Sequence, residues 1–429
     1  MAEAHEVAGG RVFNGETDAL IPVERAIEIA VGMVRPVAGV EDVKLVGARG
    51  RVLAADLRAA RPMPRFDNSA MDGFAVRLAD LDGHGPWQLR VAGTIAAGAD
   101  PNVQPAMAGA AMRIFTGASV PETYDAVVMQ EDCEDRDTFV IVRTRPRRGG
   151  NIRRAGEDAA KGDVLVAGGT RIEARHVGLL AGTGHTLLPV RRAPRIAVLS
   201  TGDELLAGDR GAAGIHDANR PMLISLAEGL GAEVTDLGIC ADDLDQTAAL
   251  FRRLVHRFDM ILTSGAASVG GRDHVRAALV AAGGSILSCK VAMKPGKPVF
   301  FGRLHETLVT GLPGNPLSAY VGFQLFVARQ IGALLGVVPA GFVKETAIAG
   351  FDWQCKTGRT EYVPVRVVGT DAAATPVVDR LGHGSSASLL PLAQADGVAV
   401  LEAKSVAGAC GAHLSWIPFG WNDFAWRMT

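Results

Sequence analysis

Apolar and polar residues follow one another in a strand-then-helix rhythm between residues 196 and 336. Short apolar runs alternate there with longer stretches whose apolar residues recur at helical spacing, which predicts βαβ units and a parallel sheet covered by helices. The predicted strands are 196–200, 233–239, 258–262, 285–293 and 307–309, and the predicted helices are 220–230, 243–258 and 273–282. This region is therefore expected to form an α/β domain.

The flanking regions contain short apolar runs separated by Gly, Pro and Asp, a pattern typical of small β domains. Helices are predicted at 21–34, where Pro36 ends the run, and at 173–181, and a second amphipathic segment covers 40–60. The short runs are 87–92, 112–115, 126–129 and 138–143 on the N-terminal side, and 362–368, 375–378, 398–401 and 413–417 on the C-terminal side.

These changes of pattern predict a multidomain α/β plus β protein. Residues 1–65 and 147–192 are expected to form a discontinuous N-terminal domain of mixed helical and β structure, with residues 66–146 as an inserted small β domain. Residues 193–338 form the predicted parallel-sheet α/β domain, and residues 339–429 a β-barrel-like domain.

Composition excludes several classes of protein. A net charge of −2 argues against a nucleic-acid-coating surface. The five cysteines are scattered without a Cys-x-x-Cys pair, which indicates reduced thiols and no zinc knuckle. The polar, acidic start is unlike a signal peptide, and polar residues interrupt the apolar stretch 317–338, which favours a buried helix over a membrane span. We therefore expect a cytoplasmic protein that binds neither nucleic acid nor membrane.

Three Gly/Pro-rich signatures, at 263–273, 294–298 and 311–316, lie close together in the α/β region, and each follows a predicted strand. Loops at the ends of parallel strands bind ligands, because helix N-termini and free backbone amides converge there. Two lysines and an aspartate within these loops predict a site for a phosphorylated, polyanionic small molecule.

The first signature combines small residues with one acid. Backbone N–H groups and the hydroxyls of Ser264 and Ser268 can approach a phosphate there. Asp273 is unfavourable beside a phosphate unless Mg²⁺ bridges the two; alternatively it caps the following helix. Asp242, with its neighbour Asp243, either caps a helix or joins Asp273 around a metal.

Lys290 and Lys294 are four residues apart in one predicted strand, so alternation places them on the same face. Two adjacent like charges favour an anion between them. Lys297 lies in a rigid Pro-Gly-Lys-Pro turn, where a solvated position is the simpler interpretation. The turn containing Pro313 and Pro316 is stiff. It both starts a helix and holds the groups that it contacts in a fixed arrangement.

Further polar residues lie outside the three signatures. Glu204 follows the first strand of the α/β region, where a functional role is favoured over an exposed loop acid. Asp67 and Asp72 are candidate acids in an unusually polar segment, with capping as the alternative. Asp158 and Thr116 lie in segments that a simple turn also explains.

Nine motifs, in order over nearly the whole chain, strongly resemble the molybdenum insertase family, molybdopterin molybdenumtransferase, which includes bacterial MoeA and the E domain of gephyrin and plant Cnx proteins. The motifs are FDNSAMDGFAV (66–76), FTGASVP (115–121), VVMQED (127–132), IRRAGED (152–158), LSTGDEL (199–205), DANR (217–220), TSGAASVGGRD (263–273), KPGKP (294–298) and LPGNP (312–316).

The resemblance implies Mg²⁺-dependent cleavage of adenylyl-molybdopterin and insertion of molybdate into its dithiolene, with release of AMP and molybdenum cofactor. It implies a homodimer, built through the N-terminal domain, in which Asp72 and Thr116 approach the site of the other subunit. Molybdopterin adenylyltransferase and a molybdoenzyme or chaperone are the implied partners.

The resemblance also assigns residues to roles. Asp242 and Asp273 are implied Mg²⁺ ligands. The implied catalytic residues are Asp72, Thr116, Asp158, Glu204, Asp242, Asp273, Lys290 and Lys294. The implied cofactor-binding residues are Ser264, Gly265, Ser268, Gly270, Lys297, Pro313, Pro316, Arg359 and Ser385, of which Arg359 and Ser385 are oxyanion contacts.

Two positions depart from the family pattern. Ala266 replaces a glycine, which would be strained if the position needs a positive φ, and Phe74 stands where tyrosine is common. A non-catalytic carrier of molybdopterin or finished cofactor is therefore the main alternative, and retention of the acids and lysines favours the enzyme. A molybdopterin-adenylylating enzyme is a third possibility, against which the extra β domains argue.

Overall fold

The computed structural model describes residues 5–7, 10–12, 20–99, 107–206, 214–265, 274–337, 344–355, 358–404 and 407–419. The chain divides into two compact units. The first unit comprises Met1–Glu41, Gly50–Val52 and Arg191–Thr429, and the second comprises Asp42–Arg49 and Leu53–Val190. The four-domain boundaries expected from the sequence stay a prediction.

The helices are α1 (Val23–Gly32), α2 (Ala174–Gly182), α3 (Asn219–Gly229), α4 (Leu244–Leu254), α5 (His274–Ala281), α6 (Pro316–Gly322), α7 (Ala328–Leu334) and α8 (Leu390–Ala393). The strands up to residue 191 are β1 (His5–Val7), β2 (Gly10–Val12), β3 (Leu20–Ile21), β4 (Val40–Lys44), β5 (Leu57–Arg58), β6 (Asn68–Ser69), β7 (Gly73–Val76), β8 (Trp87–Ile95), β9 (Ala110–Ile114), β10 (Ala126–Met129), β11 (Cys133–Asp135), β12 (Phe139–Val142), β13 (Ile152–Arg153), β14 (Val164–Val166) and β15 (Leu187–Arg191). The later strands are β16 (Arg195–Thr201), β17 (Leu205–Leu206), β18 (Ile215–His216), β19 (Glu233–Cys240), β20 (Met260–Ser264), β21 (Ser285–Val291), β22 (Met293–Lys294), β23 (Pro298–Leu304), β24 (Thr307–Leu312), β25 (Glu345–Ala349), β26 (Trp353–Gln354), β27 (Thr360–Thr370), β28 (Pro376–Arg380), β29 (Gly397–Leu401), β30 (Ala407–Gly408) and β31 (His413–Pro418).

A seven-stranded sheet organises the first unit, in the order β19-β16-β20-β24-β23-β21-β3. The strands β19, β16, β20 and β24 are parallel, but β23 runs antiparallel to both of its neighbours. The sheet is therefore mixed, which corrects the expectation of a parallel sheet. The missed strand is β23, because a hairpin without an Asn-Gly or Asp-Gly signal joins it to β24.

The register of this sheet brings several strand ends to one edge. Thr201 at the end of β16 is opposite Cys240 at the end of β19, and Ser264 of β20 is opposite Leu312 of β24. Since β21 is antiparallel to β23, it runs in the same direction as β24, and Lys290 near its end belongs to the same edge. The three signature loops thus leave the sheet on one side.

The apolar stretch after Pro316 is a buried helical rod in the core of the first unit. It consists of α6, a π-helical segment at Phe323–Val327 and α7. Arg329 donates to the carbonyls of Gln324 and Leu325 within this rod. Among the described residues, no helix is long and apolar enough to cross a membrane.

A closed five-stranded barrel follows, in which β27, β28, β25, β31 and β29 pair in turn and β29 closes onto β27. Its interior is apolar and includes Val363, Val365 and Val378. A further pairing, between β22 and β27, joins the barrel to the second signature loop. The predicted fold class, α/β plus β with a C-terminal barrel, is confirmed.

The second unit contains a six-stranded sheet in the order β10-β7-β9-β8-β12-β11. It packs two apolar clusters, one around Phe74 and one around Met112. The second amphipathic segment expected at 40–60 is β4, a 3-10 turn at Leu45–Gly47 and β5.

Candidate functional site

The strand ends carry most of the predicted ligand-binding residues of the first unit. Ser264 ends β20 and is buried, while Asp203 and Glu204 follow β16 and are exposed. After β24, Pro313 is buried and Pro316 starts α6. These residues therefore share one edge of the sheet, as the sequence predicted.

Gly265 shows why the first signature needs glycine. Its φ is +98°, and a Cβ at this position would collide with the backbone oxygen of Thr201. Its N–H donates to the carbonyl of Leu312 at 3.2 Å, which ties the ends of β20 and β24 together. Only a residue without a side chain fits this close approach.

Asn219 connects the first and third signature loops. Its Nδ2 donates to the hydroxyl of Ser264 at 2.7 Å and to the carbonyl oxygen of Gly314 at 2.7 Å, and the residue is 7% exposed. Because Asn219 occupies a lone pair of the Ser264 hydroxyl, the Ser264 proton remains available for an acceptor. The buried Oδ1 of Asn219 and the hydroxyls of Ser200 and Thr263 have no partner in the described structure.

The acidic residues at this edge differ in their local role. Asp243 caps α4 by accepting from the N–H of Gln246 at 2.8 Å. Asp242 is half-buried, and its backbone N–H donates to the Asp203 carboxylate at 3.2 Å, which ties the loop after β16 to the loop after β19 at this edge. Carboxylate oxygens are the ligands that Mg²⁺ prefers, so the donor set fits a hard cation. No group of three metal-ligating side chains converges within the described ranges, which exclude Asp273.

Lys294 departs from its predicted environment. The predicted strand 285–293 is interrupted after Val291, and Lys294 belongs to β22, so it does not continue the strand face of Lys290. The Lys294 Nζ lies 3.1 Å from Oε2 of Glu361 in the barrel. The partner of Lys294 in this structure is thus a carboxylate that the sequence did not indicate.

The other candidates at this edge come from the signature loops and from the barrel. Lys290 and Lys297 are half-buried. Arg359 immediately precedes β27, whose first residue, Thr360, is in register with Met293. The exposed Ser385 lies in a loop that accepts a hydrogen bond from the N–H of Leu317 through the carbonyl of Ser386.

The second unit holds its candidate acids in hydrogen bonds. Asp72 Oδ1 accepts from both the N–H and the hydroxyl of Thr116, each at 2.7 Å. These two bonds hold the pKa of Asp72 below its ordinary value. Asp158 pairs with the guanidinium of Arg153 at 2.7 Å. Asp72 therefore fixes the loop of Thr116. The resemblance had placed the same two residues, Asp72 and Thr116, together.

Asp67 bridges two parts of the second unit. It accepts from the N–H of Ala155 at 2.8 Å and pairs with Arg154. Burial raises the pKa of Asp67, but these hydrogen bonds and the Arg154 charge outweigh burial, so the pKa lies below its ordinary value. Phe74, the departure from tyrosine, is fully buried with the guanidinium of Arg113 4.9 Å from its ring centre.

Sequence reasoning missed two residues of the site. Asn219 lies in the DANR motif, which carried part of the resemblance but received no role. Glu361 lies in an apolar strand and had no local signal, because its importance comes from the β22–β27 pairing. Ser268, Gly270, Asp273 and Ala266 lie outside the described residues, so their predicted roles stay predictions.

Three family models match successive parts of the chain between residues 21 and 419. A family model described as MoeA N-terminal region (domain I and II) matches residues 21–184. A model described as "Probable molybdopterin binding domain" matches residues 197–333, and one described as MoeA C-terminal region (domain IV) matches residues 346–419.

Individual relatives cover most of the chain. It is 40% identical to the molybdopterin molybdenumtransferase of Haemophilus influenzae over 69% of this chain and 73% of the relative. Identity to the molybdopterin molybdenumtransferase of Bacillus subtilis is 35%, over 89% and 90% of the two chains. A crystal structure of the molybdopterin biosynthesis MoeA protein from Pyrococcus horikoshii OT3 superimposes with a TM-score of 0.80 at 25% identity, covering 94% of this chain and all of that one. The resemblance inferred from the sequence is confirmed.

Proposed function

The chain belongs to the molybdopterin molybdenumtransferase (MoeA) family, transferases of molybdenum cofactor biosynthesis, and we propose that it cleaves adenylyl-molybdopterin with Mg²⁺ and releases AMP as molybdate enters the dithiolene. The observation that carries the proposal is the meeting of carboxylates, lysines and small-residue loops at one edge of the seven-stranded sheet. Such an edge suits a substrate with two phosphate groups, because cations and backbone amides balance its charge.

The acids of this edge would hold the divalent cation. Asp242 supplies one carboxylate, and Asp273 is the second proposed ligand. When bound, Mg²⁺ neutralises phosphate charge and stabilises the oxygen that departs with AMP. Glu204, in the loop after β16, is proposed to act on the same phosphoanhydride.

The donors of the edge would bind the anionic parts of the substrate. Ser264 can donate its hydroxyl proton to a phosphate oxygen, and the glycine at 265 lets that phosphate approach the backbone. Lys290 and Lys297 would hold phosphate oxygens, while Lys294, shared with Glu361, would face molybdate. The remaining proposed contacts are Ser268, Gly270, Pro313, Pro316, Arg359 and Ser385.

The assembly and the cellular setting complete the proposal. We propose a cytoplasmic homodimer in which Asp72 and Thr116 of one subunit approach the site of the other, with Asp158 as a further catalytic residue. A molybdopterin adenylyltransferase would supply the substrate, and a molybdoenzyme or its chaperone would accept the product.

The test is a turnover assay with purified full-length protein, adenylyl-molybdopterin, molybdate and Mg²⁺, in which AMP is measured. We expect AMP release that chelation of divalent cations abolishes and that Mg²⁺ restores. Asp242→Asn should lower the rate at least tenfold and raise the Mg²⁺ concentration needed, since it removes one ligand charge. Asp245→Asn, an exposed acid in the first turn of α4, is the matched control and should match the unsubstituted protein.

Two results would contradict the proposal. Binding of adenylyl-molybdopterin without AMP release under any divalent cation would favour the carrier function. AMP release that chelation does not affect would remove the metal from the mechanism.

A further inference from the structure

The mouth of the C-terminal barrel, defined here by Lys294, Glu361 and Arg380, is charged although the interior of the barrel is apolar. Glu361 is 7% exposed and is in register with Leu401, which belongs to the barrel core. Alternation along β27 places Glu361 on the same face as the core residue Val363. The carboxylate therefore points into the end of the barrel, where the Lys294 ammonium meets it at 3.1 Å.

Arg380 ends β28 on the same inner face. It is directly opposite Val365 and lies two residues after Val378, both of which are buried in the barrel core. Its Nε is buried without a hydrogen-bond partner. In the described part of the chain no carboxylate pairs with its guanidinium. Burial raises the pKa of the Cys355 thiol, and the charges of Glu361, Lys294 and Arg380 also shift this pKa, so the three charged groups surround one thiol at the barrel mouth. There the Glu361 carboxylate is engaged by Lys294.

The loop that carries Ser385 lies against this guanidinium. Gly384 has a φ of +79°, and a Cβ there would collide with Nη2 of Arg380. The same loop reaches the start of α6 through the hydrogen bond between the Leu317 N–H and the Ser386 carbonyl. The guanidinium of Arg380 thus lies against the loop of residues 384–386, which also contacts the end of the third signature at the start of α6.

An unpaired, half-buried guanidinium is costly, because it has lost water without gaining an acceptor. An oxyanion would supply that acceptor, and the planar fork of arginine suits two oxygens of a tetrahedral anion. Lys294 and Arg380 against Glu361 leave a net charge of +1 (two cations less one carboxylate), which favours an anion such as molybdate.

We infer that Arg380 binds the metal oxyanion, molybdate, at the barrel mouth and so belongs to the substrate-binding residues of this protein. The inference rests on the proposed use of molybdate. It adds a residue that no sequence motif indicated and that acts from the barrel rather than from the sheet edge.

The test is isothermal titration of molybdate into the full-length protein, without adenylyl-molybdopterin. Arg380→Gln should weaken molybdate binding roughly ten- to hundredfold, the effect of losing a hydrogen bond to a charged group. Arg380→Lys keeps the charge but loses the planar guanidinium, so its affinity for molybdate should lie between those of Arg380→Gln and the unsubstituted protein. The matched control is Arg366→Gln, an exposed arginine on β27, which should bind as tightly as the unsubstituted protein.

Denaturant unfolding separates this role from a structural one. Removal of an unpaired cation should leave the unfolding midpoint of Arg380→Gln unchanged or raise it, whereas a structural arginine would lower it. Equal molybdate affinity of Arg380→Gln and the unsubstituted protein, or no molybdate binding by the latter, would overturn the inference. Because no turnover is measured, failure of AMP release would refute the proposed reaction without affecting this result.

Discussion

Replacing Asn219 by alanine tests whether one buried amide holds the two signature loops in their binding geometry. The change deletes two hydrogen bonds of 2.7 Å, to the Ser264 hydroxyl and to the Gly314 carbonyl. Each of the two bonds contributes about 0.5–1.5 kcal/mol net, and the buried Ser264 hydroxyl left without its donor adds about 1 kcal/mol, the lower end for such a group. The present conformation of the two loops should therefore be destabilised by about 2–4 kcal/mol.

The loss should appear in catalysis as well as in stability. If half of this energy holds the loops where the phosphate binds, kcat/KM for AMP release should fall about five- to thirtyfold, since 1.4 kcal/mol corresponds to a factor of ten. The assay is AMP release at several adenylyl-molybdopterin concentrations, together with urea unfolding of the same preparation.

A second buried amide provides the matched control. Gln330 is 1% exposed, accepts from the Thr310 hydroxyl at 2.9 Å and donates to the Ala30 carbonyl at 3.2 Å, away from the strand ends. Gln330→Ala should cost similar stability but leave AMP release by the folded protein unchanged. Equal kinetic losses in the two variants, or none in Asn219→Ala, would refute the positioning role of Asn219.

Two further predictions concern charged pairs of the first unit. Glu361→Gln should tighten molybdate binding about fivefold, because it frees Lys294 from an ion pair with a competing carboxylate. That ion pair contributes roughly 1 kcal/mol at a partly exposed site. Titration of molybdate into the variant checks this, and weaker binding would contradict it. Asp259→Asn should lower stability by roughly 2–3 kcal/mol at pH 7, because Asp259 holds the Arg192 guanidinium through two 2.7 Å bonds. Burial raises the pKa of Asp259, but the hydrogen bonds and the charge of Arg192 outweigh burial, so the pKa lies below its ordinary value. The stabilisation is therefore present above the unfolded pKa and is lost as the pH falls through the folded pKa. Urea midpoints of the variant and the unsubstituted protein should converge as the pH falls below the ordinary aspartate pKa, and a constant difference would contradict the assignment.

The sequence predicted the parts of the fold that local pattern controls. Helical spacing located α1 and α2, and the alternating region located β16, β19 and β20 within a few residues. Hydrogen bonding between distant segments has no such local pattern. The antiparallel β23 and the interruption after Val291 followed from pairing with β24 and β27, which no periodicity within 285–304 reveals.

The candidate site shows the same division. Ser264, Gly265 and Pro313 could be placed at a strand end from their own motifs, since those motifs follow apolar runs. Glu361 and Arg380 could not be found in this way, because each looks like an ordinary member of a β strand. Their meaning depends on the barrel closing and on β22 joining it, which are tertiary events.

Because β22 pairs in parallel with β27, the KPGKP loop belongs structurally to both the α/β domain and the barrel. Chimaeras that exchange the C-terminal module between relatives at a junction near residue 339 would separate Lys294 from Glu361, its partner across this pairing. Module exchange in this family should therefore carry residues 293–298 together with the barrel.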